Sequence, residues 1–369
     1  MKKVKSIKPI MGGGLFLSFD FAALEVRAFV NIAREYELGK ILSSGLDMHS
    51  SIAKKVFPEQ LKDVPLEKIK SEYKQLRSYS KSATFSVLYG SSEFNLAEQI
   101  GIPVEQAKDI IDGLLAGFPG LRDYMHNCHV EAMTTGIKDT FFGYRRQLDE
   151  IVTKFGTNEE EAKKRAGAAG YGLRFKHALN ASQNHEVQST ASIVGWIVAS
   201  HIQDEMILQG LKSRVLGNVH DSVEMDVYPG ELQDVMRICN YHAKVIPNTI
   251  YDWMDLVPLD FDFELGRSWG ASGEIVKFEF DDENNKTYFK FVGGDLHWKY
   301  IEDQLKLAYD YKIINYEEGK ERSQDPKNPL DQPTKEVVVE VEIYNPVTVK
   351  EFKSKYYVGN GKLNTKIDN

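Results

Sequence analysis

Cysteine is nearly missing: Cys128 and Cys239 are the only two among 369 residues. Two thiols can build neither a disulfide framework nor a zinc cage, and their scarcity suits a reducing, cytoplasmic setting. No run of 18 or more apolar residues occurs, which excludes a spanning helix and with it a membrane partner. Met1 to Ile10 carries four lysines but no apolar stretch or cleavage site, so it does not read as a secretory signal. A basic excess is lacking too, since 46 Lys and Arg face 54 Asp and Glu for a net charge of −8. That balance argues against holding nucleic acid by bulk electrostatics and leaves room for a local basic channel. What is present is ordinary globular material, 42% hydrophobic and 27% charged, long enough for two or three domains and a sizeable core.

Along the chain, Leu15–Asp20 alternates as a short strand and Ala22 to Arg34 follows as a helix. From Met48 to Lys176 the apolar spacing is mostly helical, broken at Pro58, Pro103, Pro119 and Gly136. Residues 185–206 form another helical run, expected to be well buried because of Ile193, Val194, Trp196, Ile197 and Val198. In 214–227, Val215, Val219, Val223, Met225 and Val227 share one parity around His220 and Asp221, a hairpin with a polar tip. After Gly273 the texture changes. Aromatic and acidic residues alternate from Phe278 to Phe291, a helical run covers 299–312, Pro326, Pro329 and Pro333 punctuate a linker, and Glu336–Tyr344 reads as a strand. Residues 274–369 hold 19 acidic and 15 basic residues, so this tail is no basic nucleic-acid arm.

The most informative segment runs from Arg77 to Gly90, where Arg77, Lys81, Phe85 and Tyr89 recur every fourth position. On a helix each step of four drifts by about 40°, so the four side chains form one stripe roughly 18 Å long. Its order, two cations and then two rings, suits a nucleoside triphosphate with phosphates over Arg77 and Lys81 and base and sugar over Phe85 and Tyr89. An amphipathic helix with its rings in the core and its cations in solvent accounts for the pattern equally well.

Two acids add to this. Asp20 ends a strand and Asp221 sits at a hairpin tip, positions that expose a carboxylate beside backbone carbonyls. Brought together they would repel unless divalent cations lay between them, and Mg²⁺ takes few carboxylates and fills its shell with phosphate and water. Each taken singly is also an ordinary solvated turn aspartate.

Together the segments resemble DNA polymerase family A, the DNA polymerase I-like polymerases. Phe19 to Arg27 resembles that family's motif A, Arg77 to Gly90 its motif B (R-x3-K-x3-F/Y-x3-Y-G), and Val219-His220-Asp221 its motif C. Asp47-Met48-His49, Phe118-Pro119-Gly120 and Gly143 to Arg146 fit between them, and the resemblance covers about residues 4–272. It implies an α+β fold, a right-hand palm of antiparallel sheet with helical fingers. The expected layout is palm at 1–49 and 178–273, fingers at 50–177 and an α+β appendage of unknown role at 274–369. Because about 14 residues precede the first strand, the thumb is expected to be absent, with a second polypeptide supplying thumb and exonuclease.

The activity implied is template-directed DNA synthesis from dNTPs on template–primer DNA with two Mg²⁺ ions. Asp20, Asp221 and the Phe21 carbonyl would hold metal, Arg77, Lys81 and His49 the triphosphate, and Lys81 would act as acid on pyrophosphate. His49 reads equally as a helix-face histidine behind an Asp cap. Phe85 would pack on the incoming sugar and base, while Glu25, bonded to Tyr89, would close off the space of a 2′-OH. His220 would lie near the primer terminus, and Asn184 and Gln188, four apart on one helical face, would reach the minor groove. Ala22-Ala23, Ser222 and Asn180 depart from the family's usual residues and suggest a bacteriophage branch acting in a host cytoplasm. The rival reading is a catalytically inactive, polymerase-derived module that binds DNA or a partner. Reverse transcription on RNA templates is a third reading, without positive support.

Overall fold

The structure, a computed structural model, describes residues 14–228, 230–322 and 334–344 and two short strands at 357–358 and 362–363. Chain contacts divide it into two units, one built mainly from residues 23–193 with 252–258, the other from the residues up to Ala22, 194–251 and those from Leu259 on.

The first unit is helical. Its helices include α1 (Leu24–Ala33), α2 (Met48–Val56), α3 (Lys74–Leu88), α4 (Pro119–Thr135) and α5 (Glu159–Ala168), and it holds the first part of α6 (Gly172–Leu208). Pro119 starts α4, where a missing N–H costs nothing, and left-handed Gly136 ends it. A shared core of Val26, Phe29, Ile52, Ala83, Val87, Leu114 and Phe118 holds α1, α2 and α3 together. A second cluster, with Met133, Val152, Ala162, Phe175 and Leu179, joins α4, α5 and α6.

The second unit is an antiparallel sheet of eight strands: β1 (Leu15–Phe21), β2 (Arg214–Val219), β3 (Ser222–Val227), β4 (Phe261–Ser268), β5 (Ala271–Asp281), β6 (Lys286–Gly294), β7 (Asp310–Arg322) and β8 (Thr334–Tyr344). Their spatial order is β2-β3-β1-β4-β5-β6-β8-β7. In register, Phe19 lies between Val223 and Phe263, and Leu17 between Met225 and Leu265; all six are fully buried. The alternate positions place Asp20 between Ser222 and Asp262, and Ser18 between Glu224 and Glu264. Period-two alternation thus separates an apolar face from an acidic one. The C-terminal segment continues the same sheet: β5 pairs with β4, and Phe289, Phe291, Val339 and Val341 are buried with helix α7 (Asp295–Ala308) packed on β4, β6 and β8. Gly273 and Gly293 flank the Phe291 ring, where an added Cβ would approach within 2.4 and 2.6 Å.

Two expectations change. The run 185–206 belongs to the 37-residue α6, but Trp196 is 71% exposed. Burial on α6 follows Val187, Ala191, Val194, Val198 and Ile202, and Trp196 stands about 200° from Val194 around the helix. The helix expected over 299–312 runs from Asp295 to Ala308, and residues from Asp310 enter β7. Pro326, Pro329, Pro333 and residues 1–13 lie outside the described residues. Among the described residues no helix is long and apolar enough to cross a membrane.

Candidate active site

In the sheet unit, the hairpin β2–β3 turns in two residues, with His220 in the left-handed region at φ 61°. Two-residue hairpins need such a φ, and at a histidine it stores strain. The turn delivers Asp221 beside the end of β1, where the Phe21 amide donates to the Asp221 carbonyl at 3.0 Å. Asp20 is the exposed position of β1. Lost hydration, then the charge of Asp221 and a hydrogen bond shared with it, push the Asp20 carboxyl up to about 6, with Glu264 and Asp262 adding to the effect. Among the described residues, neither Asp20 nor Asp221 pairs with a basic side chain. Two adjoining carboxylates short of positive charge are a hard oxygen set that fits Mg²⁺. Among the described residues no group of three or more His, Cys, Asp or Glu is assembled around a metal position.

In the helical unit, α3 buries Ser80, Ala83, Thr84 and Val87 and leaves Arg77, Phe85 and Tyr89 half-buried and Lys81 exposed. The rings of Phe85 and Tyr89 stack at 6.3 Å with 18° between planes, at the edge of the core rather than inside it. The His49 ring lies 6.3 Å from Phe85. Burial first, then the charges of Arg77 and Lys81, lower His49 to about 4, so it is neutral at pH 7 and close to both cations. Its Nδ1 is buried without a hydrogen-bond partner among the described residues. Lys81 makes no ion pair among the described residues. Arg77 grips Asp47 through two bonds of 2.7 and 2.8 Å, which hold the Asp47 carboxyl well below its ordinary range. Asp47 also caps α2 by accepting from the Ser50 amide, so one carboxylate fixes both the helix that carries His49 and the guanidinium of α3. Its cap could be read from the Asp-x-x-Ser spacing; its bond to a residue thirty positions away could not.

The Tyr89 hydroxyl donates to the Glu25 carboxylate, the pairing expected from motifs A and B. Asn184 donates to the Tyr89 carbonyl at 3.1 Å and Gln188 is exposed, so of the two expected minor-groove residues Gln188 has the open side chain. Gln183, which sequence reasoning passed over, lies buried against the end of α3.

Comparison with known proteins bears on both units. Residues 3–271 match the family model described as DNA polymerase family A. DNA polymerase I of Chloroflexus aurantiacus is 26% identical over 264 residues, 72% of this chain and 25% of that protein. DNA polymerase I of Streptococcus pneumoniae is 27% identical over 267 residues, 72% of this chain and 27% of that protein. A solved structure, the POL domain of Pol1 from M. smegmatis in complex with DNA primer-template and dNTP, matches with a TM-score of 0.58 at 25% identity, over 72% of this chain and 41% of that one. The chain spans about a quarter of the length of the curated relatives it matches. Neither a bacteriophage source nor a second polypeptide finds support in these matches.

Proposed function

The chain belongs to DNA polymerase family A, and from that membership we propose that it extends a primer 3′-OH with deoxynucleotides under direction of a template. The observation that carries the reading is the meeting of Asp20 and Asp221, two hundred residues apart in sequence, at the ends of adjoining strands. Palm would comprise 1–49 and 178–273, fingers 50–177, with 274–369 as an added α+β segment, and the site of action would be the cytoplasm.

Asp20, Asp221 and the Phe21 carbonyl would hold Mg²⁺, two ions in all, which when bound would activate the attacking oxygen and stabilise the leaving one. The primer 3′-oxygen forms a bond to the α-phosphorus as the bond from that phosphorus to the α,β-bridging oxygen breaks, pyrophosphate departs with that oxygen, and the 3′-OH proton passes to water. Lys81, exposed and without an ion pair among the described residues, donates a proton from Nζ to the departing pyrophosphate. His49 and Lys81 bind the phosphates, with Arg77 held beside them by Asp47. Phe85 packs on the incoming sugar and base, and the Glu25–Tyr89 pair occupies the space a 2′-OH would need. His220, at the hairpin tip, lies toward the primer terminus, and Gln188 and Asn184 toward the minor groove.

Primer extension with the full chain, dNTPs and Mg²⁺ tests this. Asp221→Asn should lower extension by about a thousandfold or more while dNTP affinity stays within about threefold, since only the metal-binding charge is removed. Binding of DNA without extension in the unaltered chain, and indifference to the substitution, would instead favour a non-catalytic binding module.

A further inference from the structure

The last carbonyls of a helix have no partner within it and must be satisfied from outside. At the end of α3 the backbone amides of Tyr89, Gly90 and Ser91 bond the carbonyls of Phe85, Val87 and Ser86, and a row of side-chain amides on α6 adds second bonds there and serves the carbonyls beyond them. Gln183 Nε2 donates to the carbonyls of Val87 and Leu88 at 3.2 and 3.3 Å. Asn184 Nδ2 donates to the Tyr89 carbonyl at 3.1 Å, and Asn180 Nδ2 to the Gly90 carbonyl at 2.7 Å. Positions 180, 183 and 184 share one face of α6. The fit is close: a Cβ on Gly90 would stand 2.7 Å from the Asn180 amide and 2.9 Å from Gln183 Nε2.

Gln183 is itself held from behind. Its side-chain oxygen lies 3.0 Å from His129 Nε2, and the other ring nitrogen lies 3.0 Å from the Glu159 carboxylate, which Lys163 also grips. His129 is buried, and its Nε2 faces the Gln183 side-chain oxygen, an acceptor, so that nitrogen donates. That fixes the Gln183 amide with its oxygen to the ring and its NH₂ to the helix end. The Tyr124 hydroxyl adds a bond of 2.8 Å to the Gln183 carbonyl. Glu159, His129 and Gln183 thus form one chain of hydrogen bonds ending at the residues that set the course of Tyr89.

Tyr89 is the first residue past α3, and its hydroxyl is the one bonded to Glu25. We propose that this amide clamp, with Gln183 at its centre and the His129–Glu159 pair behind it, is a specificity device: it positions Tyr89 so that the Tyr89–Glu25 pair excludes ribonucleotides. The inference rests on the polymerase reading and adds to it residues that touch no substrate. Gln183, His129 and Glu159 are positioning residues. Loosening the clamp lets the Tyr89 ring and the Glu25 carboxylate withdraw, which opens room at the sugar and leaves Asp20, Asp221 and Lys81 in place. A purely structural role for Gln183 would lower stability and leave the sugar preference where it was.

The test measures kcat/KM for a dNTP and for its matching rNTP, with melting temperatures in parallel, on the full chain. Gln183→Met keeps length and volume and removes every side-chain hydrogen bond. The expected result is a folded variant that still extends with dNTPs while the dNTP-to-rNTP ratio falls by about tenfold or more, chiefly through faster ribonucleotide use. Should that variant fail to fold, Glu159→Gln leaves the amide in place and weakens the ring behind it, with an expected fall of about threefold. A ratio unchanged in the folded variant overturns the clamp. An unaltered chain that cannot extend a primer overturns the polymerase reading instead.

Discussion

His49 shows what burial does to a single side chain. Its pKa is lowered from 6.5 to about 4 by lost hydration and by the neighbouring Arg77 and Lys81 charges. For a base lowered in this way, the unfolded chain takes up a proton first as the pH falls. The stability contributed is complete above about 6.5 and is lost progressively toward 4. Replacing His49 by Gln should therefore flatten the fall in unfolding free energy between pH 6.5 and 4.5 by on the order of 1–2 kcal/mol, the half-exposed ring discounting the full linkage. Denaturant unfolding of both proteins at the two pH values measures it; parallel curves would mean that His49 titrates as a free histidine. The same locality separates what spacing can reveal from what it cannot. The stripe of Arg77, Lys81, Phe85 and Tyr89 was legible because a helix fixes the phase of residues four apart. The grip of Asp47 on Arg77 was not, because a loop-and-helix path of thirty residues carries no phase from one to the other.

At the scale of the element, the exit from α3 carries the most constraint. Gly90 combines a φ of +69° with the amides of Asn180 and Gln183 at under 3 Å from where a Cβ would sit. Gly101 ends its own helix at φ +70° with nothing within 4 Å. Substituting Ala at Gly101 should cost about 1 kcal/mol, the left-handed penalty alone, whereas Ala at Gly90 should cost about 3 kcal/mol because the clamp must also yield. Equal losses in denaturant unfolding would show that the amides give way freely. The strands and the hairpin were readable from alternation, and Asp20 and Asp221 could be placed at a strand end and a hairpin tip. The burial of α6 was read less well. A count of apolar residues between 185 and 206 hides that Trp196 falls off the Val187–Ile202 stripe, a matter of angle rather than composition.

At the scale of the whole molecule, the C-terminal segment is part of the sheet that carries the acids. β4 lies between β1 and β5, and its buried Phe263 and Leu265 face the layer to which Ile275 and α7 contribute. Ending the chain at Gly270 would leave β4 as a bare edge strand with unpaired backbone groups and uncovered apolar side chains. That shortened protein should aggregate or melt at least about 10 °C lower than the full chain, a larger loss than single substitutions produce. Equal melting temperatures would mean that the segment adds nothing to the sheet. By itself the sequence determined the periodic elements, the three motifs and the family, because helical and strand periods and short motifs are local properties of the chain. Tertiary structure alone decided that β1 joins strands from after residue 213 in one sheet, that the register sets Asp20 opposite Ser222, and that amides of α6 bond the end of α3. Each of those pairings joins residues ninety or more positions apart, and between such residues only packing and hydrogen-bond satisfaction choose the partner.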